Sequence, residues 1–313
     1  MSPLVSVVIP TYNRGHCIEE CIRSVQMQGY ADIDVIVVDD ASGDDTRERV
    51  ARIGDPRLRY IAHEYNRGGA AARNTGICAA RGSYIAFLDS DDRWTHDKLE
   101  KQMRGLLAQG PECGFSYTWL LCVDDEGRES ASVSTAYEGD CRRRILVSNF
   151  VGSFSNVVIR RDLLELVGCL DETMRSCQDW DLFIRLLRLT RVHCQRDYLV
   201  HYRQSSDDGV RISLNPRAVV QGHRRIRQKF ADEYLAMPRE QRCEALRAYF
   251  NAFAGIGAFG EALKMCGAML IERVSPLEWP HLSRGLARAA KTAARRTWNG
   301  WRVRKVGVGS AAR

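Results

Sequence analysis

From residue 5 to residue 204, short β-branched runs alternate with stretches whose apolar side chains recur every three or four positions. Val5–Ile9 reads as a strand stopped by Pro10, and Ile18, Ile22 and Val25 mark the inward side of a helix. Residues 34–40 form a second apolar run that ends in Asp39-Asp40. Ser42 and Asp45 stand at near-capping-box spacing ahead of a helix that reaches Ile53. A short strand is expected at 58–61. The small residues of 68–80 predict a helix lying close to a sheet, and 83–88 is the next strand. A helix at 96–109 leads to a strand at 114–123, where Asp124-Asp125-Glu126-Gly127 is turn chemistry for a hairpin. Helix at 142–147, strand at 156–159, helix at 161–167 closed by Gly168, helix from Ser176 and strand at 192–204 complete the pattern. This alternation predicts an α/β fold, a mostly parallel sheet covered by helices on both faces. Beyond the polar cluster Ser205 to Gly209, a boundary or lid, only helical periodicity remains: 216–236, 239–254, 260–273 and 281–298. The expected division is an α/β domain over 1–210 and a helical C-terminal region over 211–313.

In sheets of this kind ligands gather beyond the carboxyl ends of the strands. Those ends carry Pro10-Thr11-Tyr12, Asp39-Asp40 and Asp89-Ser90-Asp91-Asp92. If the chain stays extended through Asp91, the two-residue period puts Asp89 and Asp91 on one side. Unpaired carboxylates at the end of a buried strand are costly. Mg²⁺ or Mn²⁺, which bridges one or two carboxylates to phosphate oxygens, would account for them. So would a cap on the helix expected near His96. Asp179 and Asp181 in the first turn of the helix from Ser176 allow two readings as well. Both complement the helix dipole, or Asp179, beside the large ring of Trp180, is a positioned base.

Composition narrows the class. The chain has 313 residues, 45% hydrophobic and 27% charged, as expected of a globular protein. Its net charge of +7 is uneven. No acid occurs from His281 onward, whereas Arg284, Arg288, Lys291, Arg295, Arg296, Arg302, Arg304, Lys305 and Arg313 are basic. With Leu282, Leu286, Trp298 and Trp301 interleaved, this tail fits an anionic membrane surface, or else a helix packed on the domain. The 11 cysteines include no CxxC pair and accompany no signal-peptide pattern, so a reducing, cytoplasmic compartment is expected. Cys17 and Cys21 suit core packing. No apolar run approaches the roughly 20 residues of a membrane-spanning helix. The absence of a GxxxxGK loop argues against a kinase or ATPase, and the main domain has no basic stripe for nucleic acid.

The ordered segments Val-Ser-Val-Val-Ile-Pro-Thr-Tyr-Asn-Arg (5–14), Val-Val-Asp-Asp-Ala-Ser-Gly-Asp-Asp-Thr (37–46), Ala-Arg-Asn-Thr-Gly-Ile (72–77), Phe-Leu-Asp-Ser-Asp-Asp-Arg-Trp (87–94) and Gln-Asp-Trp-Asp-Leu-Phe-Ile-Arg-Leu (178–186) resemble the successive motifs of the family 2 inverting glycosyltransferases. Each alone is weak, and the ordered set is specific. The resemblance spans residues 4 to about 205 and implies the GT-A fold, a Rossmann-like sheet, with a nucleotide-sugar donor. It implies Pro10, Thr11 and Tyr12 at the base and ribose, Asp40 reading the base with Asp39 beside it, and Arg73 near the donor. Asp89 and Asp91 correspond to the DXD element, Asp91 contacting Mn²⁺ or Mg²⁺ and Asp89 contacting ribose or metal. Asp179 takes the position of the base, with Trp180 on the acceptor side. Gln178 replaces the usual Glu. Tyr202-Arg203 is followed by Gln204 rather than His, so a third protein ligand for the metal is not supplied, and His201 is a poor substitute on position.

The chemistry agrees with those roles. A sugar hydroxyl needs a carboxylate to take its proton, and a departing nucleoside diphosphate needs its growing charge stabilised. The expectation is therefore a metal-dependent inverting glycosyltransferase. It would use a UDP-sugar and a glycan or lipid-linked acceptor, and would be cytoplasmic or peripheral at the inner face of the plasma membrane. The rivals are a sugar-1-phosphate nucleotidyltransferase, which would carry a Gly-rich loop after the first strand, and a non-catalytic nucleotide-sugar- or glycan-binding protein, which would have no use for Asp179.

Overall fold

The structure, a computed structural model, describes residues 2–204, 215–272 and 282–292. The strands are β1 (Val5–Thr11), β2 (Ile33–Asp39), β3 (Leu58–Ala62), β4 (Tyr84–Phe87), β5 (Arg93–Trp94), β6 (Cys113–Val123), β7 (Glu129–Val133), β8 (Val157–Arg160) and β9 (Arg191–Arg203). They form one sheet in the order β3-β2-β1-β4-β8-β6-β9-β5, with β7 paired to β6. The helices that position the site are α1 (Gly15–Gln26), α2 (Thr46–Ala51), α3 (Gly69–Ala79), α4 (Lys98–Ala108), α5 (Arg144–Val147), α6 (Arg161–Val167) and α7 (Gln178–Leu186).

The sheet is mixed rather than mostly parallel. β3, β2, β1 and β4 run parallel, but β8 enters antiparallel between β4 and β6. The expected hairpin forms as β6–β7, while β5 pairs antiparallel to β9 and has no counterpart in the sequence pattern. From β1 the chain builds outward through β2 and β3, then returns to place β4 on the other flank of β1. Such a reversal opens a crevice beyond the strand ends.

Pro10 does not stop β1. Residues alternate their bonding direction along a strand, and Val8 faces β4 through the Leu88 N–H to Val8 O bond. Pro10 therefore faces the same flank just past the end of β4, where its missing N–H disrupts no ladder. The expected capping box is also absent. Ser42 Oγ instead accepts from Asn13 N at 2.8 Å, and Asp44 accepts from Thr46 N at 3.1 Å and from Gly15 N at 2.9 Å. These bonds tie the loop after β1 to the loop after β2.

Core residues Val5, Val7, Ile9, Ile18, Ile22, Val35, Val37, Leu99 and Met103 pack between the sheet and its helices. On this unit's sheet, α3 lies very close to β1. A Cβ on Gly76 would sit 2.2 Å from Val8 Cγ1 and 3.0 Å from Val8 Cγ2.

The chain divides into two compact units, Met1–Ile145 with Asn149–Gly209, and Leu146–Ser148 with Val210–Arg313. The second unit contains α8 (Pro216–Lys229), α9 (Ala231–Ala236), α10 (Arg239–Gly255) and α11 (Phe259–Ile271). Asn215 caps α8 by accepting from Arg217 N and Ala218 N, ahead of Pro216. The helix expected over 216–236 breaks at Phe230, which is 1% exposed and departs from helical geometry. Tyr249, Phe250 and Phe253 form the buried side of α10. Residues 282–292 are helical. The expected loop at 205–209 and the tail beyond 292 lie outside the described residues. No helix among the described residues is long and apolar enough to cross a membrane.

Gly76→Ala sets two effects against each other. Alanine gains about 1 kcal/mol of helix propensity, but overpacking a stiff, buried valine costs roughly 1–3 kcal/mol. The clash should win. A lowered urea midpoint with unchanged slope is expected, and Val8→Ala in the same chain should recover part of the loss.

Candidate active site

The acids after β4 do not stay on one strand face. β4 ends at Phe87, and Asp92 N donates to Asp89 O at 2.9 Å, closing a turn over Asp89-Ser90-Asp91-Asp92. The turn sends its three carboxylates to different partners. Asp89 accepts from Arg73 Nη2. Asp91, its side chain 18% exposed, has Arg14 Nη2 at 3.8 Å. Asp92 points inward, where Oδ2 accepts from Ser155 Oγ and Oδ1 accepts from Arg203 N at 3.0 Å. Burial, with Asp91 and Asp89 alongside, pushes the Asp92 carboxyl well above the usual carboxylate range. Neither Asp91 nor Asp92 caps α4, which follows Asp97.

Several side chains hold this turn in place. Ser155 Oγ also accepts from Asp89 N at 3.0 Å, and Trp94 Nε1 donates to Ser155 O at 2.7 Å. Cys17 and Cys21 line the α1 side, their thiols 3.4 Å from Ser90 O and 3.6 Å from Asp89 O.

Arg73 joins the turn to α3. Its Nη1 donates to Gly69 O at 3.1 Å, and its guanidinium stacks 4.3 Å from the Phe154 ring centroid. The N-terminal end of α3 is in turn held by Asp40. Asp40 Oδ1 accepts from Arg67 N at 2.8 Å and meets His63 Nδ1 at 2.7 Å, while Oδ2 accepts from Gly68 N at 2.6 Å. Asp39 is committed to its own loop, accepting from Ser42 N at 2.8 Å and from Tyr60 Oη. Asp39 and Asp40, at the carboxyl end of β2, are therefore both held by backbone and side-chain partners. Thr11 ends β1 at 4% exposure, and its Oγ1 is buried with no hydrogen-bond partner among the described residues. Pro10 is buried beside it and Tyr12 is partly exposed.

Asp179 stands at the start of α7, preceded by Cys177 in a left-handed conformation. The residue is partly exposed, but protein closely surrounds its carboxyl group and burial raises its pKa. Opposing that rise are the Trp180 N–H, the Asn149 side chain and Arg73, while Asp89 adds to it. Arg73 and Asp89 are thus near enough to act on Asp179, although the acids lie far apart in sequence. Asp181 takes the structural role, paired with Arg185 at 2.7 Å. Trp180 lies inward in this structure. It is 5% exposed and donates Nε1 to Ile145 O at 2.6 Å, so its ring is a packing element that fixes α7.

The donor set fits a divalent cation only with help from a ligand. Asp92 is committed inward and Asp89 pairs with Arg73, while the Asp89 and Asp91 side chains are both partly exposed, 27% and 18%. No group of three His, Cys, Asp or Glu that could hold a metal occurs among the described residues. A Mg²⁺ or Mn²⁺ site here would need diphosphate oxygens and water to complete it, as that chemistry allows.

Sequence reasoning missed His63, Asn149, Ser155 and Phe154. None carries a spacing signal, because each acts through a contact between distant segments.

The model of glycosyl transferase family 2 matches residues 6–168, more than half of the chain. The chain belongs to that family. It is 41% identical over 189 residues to the putative teichuronic acid biosynthesis glycosyltransferase TuaG of Bacillus subtilis, covering 59% of this chain and 73% of that one. It is 30% identical over 311 residues to the succinoglycan biosynthesis protein ExoO of Rhizobium meliloti, covering 94% and 88%. The Escherichia coli enzyme WfgD, a UDP-Glc:alpha-D-GlcNAc-diphosphoundecaprenol beta-1,3-glucosyltransferase, is 46% identical over 104 residues, covering 33% of this chain and 41% of its own. Among solved structures, S. aureus TarS 1–349 with UDP-GlcNAc aligns at a TM-score of 0.59 with 18% identity, over 92% of this chain and 89% of that one. The Pyrobaculum calidifontis mannosyltransferase PcManGT, with GDP-Man and Mn²⁺, aligns at 0.53 with 20% identity, over 96% and 88%. These neighbours share the GT-A fold, and the protein is a glycosyltransferase.

Proposed function

We propose that the chain transfers a sugar from a UDP-sugar to a hydroxyl acceptor with inversion, in the synthesis of a cell-surface glycan. What supports this reading is the family match together with Asp179, whose enclosed carboxyl at the start of α7 feels the Arg73–Asp89 pair. The names of TuaG, ExoO and WfgD support the glycan context, and those of WfgD and TarS support a UDP donor. The donor's base and ribose lie over Pro10, Thr11 and Tyr12, where the unmet Thr11 hydroxyl can pair with the nucleoside. Asp39 and Asp40 shape the floor beneath it, and Arg73 with Asp89 faces the ribose and diphosphate.

Asp179 accepts the proton of the acceptor hydroxyl as the new bond forms on the face opposite the leaving diphosphate. A carboxylate whose pKa is raised by burial is a stronger base than an exposed one, which suits that task. Asp91 would hold Mn²⁺ or Mg²⁺, which when bound stabilises the charge of the departing diphosphate. The basic stretch from residue 281 meets an anionic membrane surface carrying a lipid-linked acceptor, on the cytoplasmic side.

Four outcomes test this reading. Asp179→Asn should keep UDP-sugar affinity while transfer falls about 10²–10⁴-fold; equal loss of both counts against the base. The active form is the carboxylate and burial raises its pKa. Turnover should therefore decline as pH falls through a value above the ordinary aspartate range of about 3.9. Asp91→Ala should abolish the Mn²⁺ dependence of UDP binding measured by calorimetry. Replacing Arg284, Arg288 and Lys291 together with Glu should release the full chain from phosphatidylglycerol vesicles in sedimentation, and unchanged pelleting would refute the membrane contact.

A further inference from the structure

We propose that Asn149 is a positioning residue for Asp179, its amide gripping one carboxylate oxygen so that the other is presented to the acceptor hydroxyl. The inference rests on the reading of Asp179 as the base. Asn149 lies between α5 and β8, 30 residues from its partner, and Nδ2 donates to Asp179 Oδ2 at 2.7 Å. Its orientation is set from the other side. Asn149 Oδ1 accepts from Gly152 N at 3.3 Å, and Gly152 adopts φ +96°, a backbone conformation that a side chain would strain. With the amide oxygen used by this turn, the NH₂ end faces Asp179.

The surroundings explain why a neutral amide suits the position. The charged groups acting on Asp179 are Arg73 from α3 and Asp89 from the turn after β4, which oppose one another there and are paired together. The Cys177 thiol, at the start of α7, is pushed up to about 12 by burial first and by Asp179 second, so it stays neutral. Asn149 is the one side-chain hydrogen-bond donor to Asp179 recorded among the described residues. Lysine at 149 would pair with the carboxylate and weaken it as a base. An acid would compete for its proton. The amide favours the ionised form without neutralising it, and fixing one oxygen aligns the other for proton transfer.

The test uses the full chain with Asn149→Ala, Asn149→Asp and Asp179→Asn, each checked for an unchanged urea midpoint. The Asp179 carboxyl is titrated by infrared difference against Asp179→Asn, which needs no knowledge of the natural donor. Binding of UDP is measured by calorimetry, and transfer is followed with UDP-glucose and UDP-GlcNAc. Asn149→Ala should move the carboxyl titration upward by about one pH unit, and Asn149→Asp further. UDP affinity should stay within about twofold while turnover at neutral pH drops roughly tenfold or more, with the loss partly regained at higher pH. An unmoved titration in both Asn149 variants overturns the inference and leaves the base assignment standing. Transfer that survives Asp179→Asn overturns the base assignment and this inference together.

Discussion

The ion pair between Arg73 and Asp89 is the constraint on which the site depends. Arg73 belongs to a helix whose N-terminal end is held by Asp40, and Asp89 belongs to the turn that follows β4. The pair therefore fixes the distance between two strand ends that flank the reversal of the sheet. Phe154 beneath the guanidinium and Gly69 O beside it restrict Arg73 to one arrangement. Such a pair is partly removed from water, which makes it stronger than a surface contact and costly to break from one side only. Asp179 then meets the two opposed charges of the pair rather than an isolated one.

The acids of the turn share this logic. Three carboxylates within four residues would repel one another if all faced one cavity. The turn separates them. Asp89 goes to an arginine, Asp91 toward solvent near Arg14, and Asp92 to a hydroxyl and a backbone N–H in the interior. The inward acid anchors the turn through Ser155, and the anchoring leaves the partly exposed acid with a defined direction. Carboxylates at adjacent positions thus meet opposite environments, Asp92 buried and Asp91 partly exposed.

Close packing supplies the rest of the precision. α3 can approach β1 only because Gly76 has no side chain at the point where Val8 rises from the sheet. The same approach brings Arg73 within reach of the turn. Buried thiols on α1 and the indole of Trp94 complete the cradle without adding charge.

Local sequence was enough for most of the elements, for the strand ends that carry the chemistry, and for the motif series that marks the family. Those features follow from two- and three-to-four-residue periods and from short ordered segments, which are properties of neighbouring residues. It was not enough for β5, for the antiparallel entry of β8, or for the turn that parts Asp89 from Asp91, because strand direction and turn closure depend on which distant backbone is at hand. The partners of Asp40, the inward role of Trp180 and the grip of Asn149 on Asp179 belong to the same group. Each is a contact across 23 or more residues, set when the strands and helices pack, and no spacing in the chain encodes it.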